Sequence, residues 1–205
     1  MKESFLKIVW QNLLTLILLN LAFIFSSVFV ITIPAATAGL YRGVCCCLDG
    51  RKRVLAEYWK AFRQNLIYAI PVGLFFGALI AALAYGCVFY RMNYTGQFIL
   101  LPISMFCLIV LYLSYIASIY AFTMLATVEL PRKKIIKNAF LLLLVDVKSL
   151  FTWTLLSAAV LLLSILLFPR SLVIIILLSF SISAILGAKG AIDLINQYIM
   201  EGNNE

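Results

Sequence analysis

The sequence contains no histidine and only eight acidic residues, and charged side chains of both signs account for 12% of its 205 residues. Without histidine the chain lacks the side chain most often used for acid–base catalysis and as a metal ligand. Paired-carboxylate spacings, nucleophile motifs and glycine-rich phosphate loops are absent as well. We therefore expect a protein that is not an enzyme and that binds no metal and no cofactor.

Apolar residues are abundant and make up 65% of the chain. The mean hydropathy of +1.11 far exceeds that of soluble domains, which are about half apolar and about a quarter charged. This composition excludes a disordered chain, a disulfide-stabilised secreted domain and an ordinary soluble domain. It predicts an all-α fold, a polytopic membrane helical bundle of five to six crossings that occupies residues 1–205 as a single integral membrane domain.

Five apolar stretches approach or exceed the roughly 20 residues that a helix needs to cross the hydrocarbon core of a bilayer. They cover residues 8–33, 66–90, 98–128, 149–168 and 172–188. The first is longer than the apolar core of a signal peptide, so we expect it to be retained. Two alternatives stay open for it: a single span, or a bent hairpin that continues to residue 48 and adds a sixth crossing. Pro34 favours the hairpin because proline interrupts a helix.

Basic residues are concentrated in two of the connections between these stretches. The chain carries 16 bases and a net charge of +8, which in a membrane protein is typical of an orientation signal rather than of a nucleic-acid partner. We therefore expect that no nucleic acid binds, and that both basic connections and the C-terminus lie in the cytoplasm.

Each basic connection contains an amphipathic segment, which we call the first elbow (residues 51–66) and the second elbow (residues 131–140). In the first elbow, apolar side chains that include Tyr58 and Trp59 recur at helical spacing opposite a polar stripe. Such a helix suits the surface of the lipid bilayer, with its aromatic rings at headgroup depth. Attraction to lipid explains the bases, and docking of a protein partner is the alternative. The candidate docking residues are Arg51, Lys52, Arg53, Lys60, Arg63, Arg132, Lys133 and Lys134.

A second group of candidates consists of the charged residues Asp146, Lys148 and Lys189. We expect them to form polar pairs at the membrane interface, with one another or with a base of the first elbow. A role in ion coupling is the less favoured alternative, because none of the acids falls at mid-bilayer depth.

Gly73, Gly77 and Ala81 place small side chains on one face of the second stretch. A GxxxG pattern allows another helix to approach closely. We expect helix packing within the bundle, with a homo-oligomer as the alternative.

Three adjacent cysteines, Cys45, Cys46 and Cys47, are the remaining reactive side chains of note. Successive residues of a helix point about 100° apart, so three neighbours on an intact helix cannot ligate one ion together. We expect structural thiols.

Three segments resemble the YesL-like family, a group of bacterial integral membrane proteins with a domain of unknown function. They are ITIPAATAGLY at residues 31–41, YWKAFRQN at residues 58–65 and KIIKNAF at residues 134–140. The resemblance implies a multi-pass protein of the bacterial plasma (cytoplasmic) membrane that is linked to carbohydrate uptake or utilisation. It also implies components of a sugar ABC transporter as partners, and it implies no catalytic residue.

The leading expectation is therefore a non-enzymatic accessory or regulatory membrane protein that acts through its elbows. A small stand-alone membrane transporter or channel is the main alternative, and it predicts solute flux that is sensitive to substitution of Asp146. A lipid-binding scaffold without a protein partner is a third alternative.

Overall fold

A computed structural model describes residues 5–93, 100–145 and 148–200, apart from the side chains of residues 148–151 and 199–200. Within these residues every regular element is helical. The helices are α1 (Phe5–Gln11), α2 (Leu13–Ser26), α3 (Ile33–Leu48, preceded by a 3-10 turn at Val30–Thr32), α4 (Val54–Asn65), α5 (Ile70–Met92), α6 (Leu100–Thr127), α7 (Arg132–Leu142), α8 (Lys148–Leu166) and α9 (Leu172–Tyr198).

Four helical segments of the described chain are long and apolar enough to cross a membrane: Val30–Leu48, α5, α6 and α9. The helices α1 and α2 together form a fifth, which is bent by 70°. Lipid offers the backbone no hydrogen-bond partner, so helices that satisfy their own backbone are one of the two structures that can span it. The fold is therefore the all-α bundle of a membrane-embedded protein, which confirms the predicted fold class.

The first apolar stretch is not one continuous helix, as a single span over residues 8–33 would require. Helix α2 ends at Ser26, and the chain turns before the next helix begins. The Thr32 hydroxyl lies 2.6 Å from the carbonyl oxygen of Ser26 and 2.7 Å from that of Phe29. A side chain thus satisfies a carbonyl at the end of α2 that the helix itself leaves unpaired.

From α2 to α3 the chain forms a helical hairpin that ends at Leu48; the sixth membrane crossing of the hairpin alternative, in which the first unit continues to residue 48, stays a prediction. Pro34 lies in the first turn of α3, where the missing N–H of proline costs no hydrogen bond. It therefore begins the second arm of the hairpin. The two arms pack closely, since a Cβ on Gly43 of α3 would come within 2.6 Å of Leu19 Cδ2 of α2.

The last helix extends beyond its predicted end at residue 188, as far as Tyr198. The added turns are helical because they bury further apolar side chains, Ala191, Leu194 and Ile195, at the spacing of one helix face. The ends of the other long helices agree with the predicted stretches to within a few residues.

The buried core lies toward one end of the bundle, which we call the basic end because it holds both elbows. Helix α3 is buried along most of its length, and α6 is buried from Ile119 to Ala126. Farther from the elbows, α6 exposes large apolar side chains such as Phe106 and Ile109, and α5 exposes Val88 and Phe89. Helix faces of this kind suit contact with lipid, in which exposed apolar surface carries no penalty.

Buried serines join α8 to α9. The Ser157 and Ser183 hydroxyls lie 2.8 Å apart, and so do those of Ser164 and Ser179. The Tyr115 hydroxyl of α6 joins the first pair at 2.8 Å from Ser157 Oγ. Hydroxyl side chains are a common means of attaching one membrane helix to another, and these pairs fix α9 against two other helices.

Asn20 of α2 is fully buried and attaches α2 to α9. Its Nδ2 donates hydrogen bonds to the carbonyl oxygens of Ile175, at 2.9 Å, and Ile176, at 2.6 Å, and its Oδ1 accepts one from the Ser181 N–H at 3.0 Å. Ile175 and Ile176 lie within a π-helical turn of α9, Ile175–Ser179, and Ser181 follows it. The carboxamide thus supplies partners to backbone groups where the regular α-helical ladder is interrupted.

Candidate functional site

The first elbow begins with a sharp turn that ends α3. Gly50 adopts a left-handed conformation with φ of 70°, its N–H donates to Cys47 O at 3.2 Å, and the Arg51 N–H donates to Cys46 O at 2.9 Å. These two bonds form the Schellman motif that commonly ends helices at a glycine. The chain therefore turns at Gly50, and α4 packs against α3.

The apolar face of α4 packs against protein, not against lipid as we predicted from the sequence. Tyr58 is fully buried, and Gly39 of α3 leaves room for its ring, because a Cβ there would lie 3.1 Å from Tyr58 Cε2. Its hydroxyl is 2.5 Å from Ser26 Oγ and 3.3 Å from Ala22 O of α2. Burial raises the pKa of Tyr58 to about 12, so this phenol stays neutral at any physiological pH.

An arginine of α3 joins three helices beneath the first elbow. Arg42 Nε and Nη2 donate to Glu57 Oε2 of α4 at 3.0 and 2.9 Å, and Nη1 donates to Ala126 O of α6 at 3.1 Å. The last carbonyls of a helix carry partial negative charge, which favours a cation there. The hydrogen bonds from Arg42 hold the pKa of Glu57 below its usual value. Glu57 is thus ionised, and the guanidinium fixes α4 relative to α3 and α6.

A polar pocket of about 300 Å³ opens beside this arginine, and we call it the elbow pocket. Its wall combines two bases, Arg42 and Lys60, with two acids, Glu57 and Glu129, and the remainder comes from the end of α4 and from residues 125–129. The pocket therefore lies between the first elbow and the segment that leads into the second.

The turn that follows the first elbow contacts the start of the second elbow. The Tyr68 hydroxyl, from the turn after α4, donates to Leu130 O at 2.7 Å. The Arg132 guanidinium, at the start of α7, lies over the Tyr68 ring, 4.5 Å from its centroid, which is a favourable cation–π geometry. Segments about sixty residues apart in the sequence therefore meet at the basic end.

The second elbow is attached to the bundle by its apolar face. Ile135, Ala139 and Leu142 of α7 are buried. Phe140 stacks on Phe76 of α5, with ring centroids 5.9 Å apart. As in α4, amphipathic spacing has produced a helix that packs on other helices.

Seven of the eight predicted docking bases are exposed at this surface: Arg51, Lys52, Arg53, Lys60, Arg63, Lys133 and Lys134. Arg132 differs, because it is partly buried against Tyr68 and so belongs to the junction between the elbows. Arg51 lies 3.2 Å from Asp49 in an exposed ion pair. This pair offsets the charge of one base, and the other exposed bases keep the surface basic.

The predicted polar pairs are only partly described. Lys189 lies 3.6 Å from Asp193, one turn later on α9, which is a partner within its own helix. Asp146 lies outside the described residues, and Lys148 begins α8 with its side chain outside them.

The three small residues of α5 differ in their surroundings. A Cβ on Gly73 would overlap the ring of Pro34 in α3, so this glycine permits close packing within the bundle. A Cβ on Gly77 would meet no atom of the described chain within 4 Å, and Ala81 is exposed. The three cysteines Cys45, Cys46 and Cys47 are all buried in α3.

Two features of the structure were not predicted from the sequence. Asn20 is a single amide in the apolar run of α2, and a lone polar residue within a membrane helix signals an interhelical bond. The serines Ser157 and Ser164 lie seven residues apart on α8, so they share one helix face. Neither pattern predicts the hydrogen-bond partner, because in each case the partner lies on another helix.

In the comparison with protein families, residues 16–87 match the family described as "Protein of unknown function, DUF624". The matched part runs from α2 to α5 and includes the first elbow, Arg42 and Glu57. Comparisons with curated proteins and with solved structures give no match. Over these residues the chain is therefore similar to a family to which the match assigns no function, and a YesL-like assignment is compatible with it.

Proposed function

We propose that this chain is a non-enzymatic accessory or regulatory membrane protein whose joined elbows dock a protein partner. The observation that carries the proposal is the contact that joins the end of the first elbow to the second, in which Tyr68, from the turn after α4, bonds to Leu130 and stacks under Arg132. It brings exposed bases from two distant segments to the same end of the bundle. In this proposal the basic end faces the cytoplasm of a bacterial cell, as the distribution of bases favours.

The burial of the elbow helices supports docking over simple attachment to lipid. An amphipathic helix that serves as a lipid anchor inserts its apolar face into the membrane interface. Here Tyr58 and Ile135 are instead buried inside the protein, so the elbows display mainly their polar faces. A basic surface on a rigid support suits an acidic patch on a partner, for which charge complementarity gives specificity and fast association.

The process in which this docking takes part is proposed from the resemblance of the sequence alone. It is carbohydrate uptake or utilisation, with a component of a sugar ABC transporter as the partner. For a stand-alone transporter or channel we would look for polar groups that line a path. The buried Ser157–Ser183 and Ser164–Ser179 pairs and the Asn20 bonds instead use their polar atoms on one another and on the backbone, which favours helix attachment.

The test is crosslinking in the membranes of the native host, followed by purification of the tagged chain and mass spectrometry. The variant replaces Arg51, Lys52 and Arg53 with glutamine, and the control replaces Arg170, between α8 and α9, with glutamine. All four bases are exposed, so none of the substitutions disturbs the core.

We expect one transporter component to be captured by the wild type and the control, and its yield to fall at least about tenfold in the triple variant. Equal capture by the triple variant would refute docking through this surface. Capture of the chain alone, together with solute flux in liposomes, would replace the proposal with a stand-alone transporter.

A further inference from the structure

An apolar groove opens on the side of the bundle, between the α5–α6 pair and α8. Its volume is about 1070 Å³, at the upper limit of the roughly 300–1,000 Å³ that is usual for ligand sites. Aliphatic side chains of three helices line it, among them Ala84, Val88, Ile109, Ala159 and Leu162.

Two tyrosines of α6 lie across the groove and connect its walls. The Tyr112 hydroxyl is 2.9 Å from Thr154 Oγ1 of α8, and the Tyr115 hydroxyl is 2.8 Å from Ser157 Oγ. Both tyrosines line the groove. Since their hydroxyls are bonded to α8, the part of each residue that is offered to a ligand is the ring.

The length of the groove equals about half the thickness of a bilayer core. Its lining covers residues 80–88 of α5, 108–116 of α6 and 155–165 of α8, which is about 12–15 Å at the rise of a helix. Half of a bilayer core is roughly 15 Å. The match is therefore to the acyl chains of a single leaflet.

The second elbow closes the groove toward the basic end. Helix α7 packs on α6 and, through Phe140, on Phe76 of α5, and Leu143, just after α7, lines the groove. A transmembrane helix from a partner would need the full depth of the membrane. A half-depth groove that is closed at one end accommodates an acyl chain better.

A basic side chain lies just beyond the open end. Arg91 is on the same face of α5 as Ala84 and Val88, about one turn farther from the elbows. It is exposed and lines a small pocket of about 300 Å³ together with Ser104. The Ser104 hydroxyl donates to Cys87 O at 3.2 Å, and Cys87 lines the groove. The hydrogen bond between Ser104 and Cys87 therefore joins the pocket at Arg91 to the apolar groove.

We propose that the groove is a binding site for one anionic phospholipid of the leaflet opposite the elbows, with an acyl chain in the groove and the phosphate at Arg91. A guanidinium is well suited to a phosphate because it offers several donors in one plane. The lipid fills the space between the α5–α6 pair and α8. The proposal is independent of partner docking, which uses the other end of the bundle.

The test uses the full-length chain, purified in mild detergent and freed of lipid, with native mass spectrometry as the readout. The probes are dioleoylphosphatidylglycerol and, as the zwitterionic counterpart, dioleoylphosphatidylcholine. Ala84→Trp fills the groove. Ala82→Trp is the matched control, because Ala82 lies on the same helix, is exposed and does not line the groove. Arg91→Gln tests the headgroup contact.

We expect one phosphatidylglycerol per chain, bound about tenfold more weakly by Ala84→Trp and unchanged in Ala82→Trp. Arg91→Gln should bind phosphatidylglycerol only as tightly as the wild type binds phosphatidylcholine. Binding by Ala84→Trp at the wild-type level would refute the site. So would a wild-type dimer that Ala84→Trp converts to a monomer, because a second copy would then fill the groove.

Discussion

Replacing Asn20 with leucine should destabilise the bundle, because the carboxamide makes three hydrogen bonds to α9 that leucine cannot make. The two bonds from Nδ2 reach Ile175 O and Ile176 O, and the third is accepted from the Ser181 N–H. Leucine has a similar size, so the change removes polar contacts without leaving a large cavity. Asn20 is fully buried, so water cannot replace the lost partners.

The expected loss is about 2 kcal/mol, since hydrogen bonds between membrane helices average about 0.6 kcal/mol each. A larger loss, toward 3 kcal/mol or more, would mean that the backbone groups stay unpaired after the substitution, because each such group costs about 1–3 kcal/mol. Little compensation is expected from the apolar side chain, because lipid is as apolar as the protein interior.

The assay is equilibrium unfolding of the purified chain in mixed micelles by titration with sodium dodecyl sulfate, followed by circular dichroism. Asn93→Leu is the control, because Asn93 is exposed and its Nδ2 donates to Phe89 O of the helix that it ends, a local bond that connects no two helices. The control should change stability by less than about 0.5 kcal/mol. Hydrogen exchange at the Ser181 amide should also accelerate in Asn20→Leu, and wild-type stability with an unchanged exchange rate would refute the role of Asn20.

Three further predictions concern the basic end and its packing. Pairing with Arg42 lowers the pKa of Glu57 in the folded state. The stabilisation from this pair is therefore fully present above the unfolded pKa of about 4.3 and is lost as the pH falls through the folded-state pKa. Glu57→Gln should flatten the acid side of a curve of unfolding free energy against pH, and an unchanged slope would contradict this. Tyr58→Phe should cost about 1 kcal/mol by loss of the hydroxyl contacts, measured by the same titration, whereas no loss would show that those contacts contribute nothing. Gly73→Val should lower the free energy of unfolding by about 1–3 kcal/mol through overpacking, because a Cβ at Gly73 would overlap Pro34. Gly77→Val should lower it by less than about 0.5 kcal/mol, because a Cβ there has space. Equal melting temperatures of the two variants would refute the assigned packing.

Composition and periodicity were sufficient to predict the all-α fold class, most of the helix ends and the presence of both elbow helices. The reason is that lipid permits few backbone structures and that the helical period is visible in the sequence. The break in the first stretch was visible only in part. Pro34 indicated a turn nearby, but α2 already ends at Ser26, where the Thr32 hydroxyl bonds to the carbonyl oxygen.

The sequence by itself determined that α4 and α7 would be amphipathic helices; only the tertiary structure decided what their apolar faces contact. The same spacing of Tyr58 and its neighbours serves a lipid surface and a protein surface equally well, so the pattern carries no information about the partner. The same is true of polar groups: Asn20 bonds to residues about 155 positions away, and Arg42 joins three helices. Such partners are set by how the helices pack together, which no local pattern in the chain records.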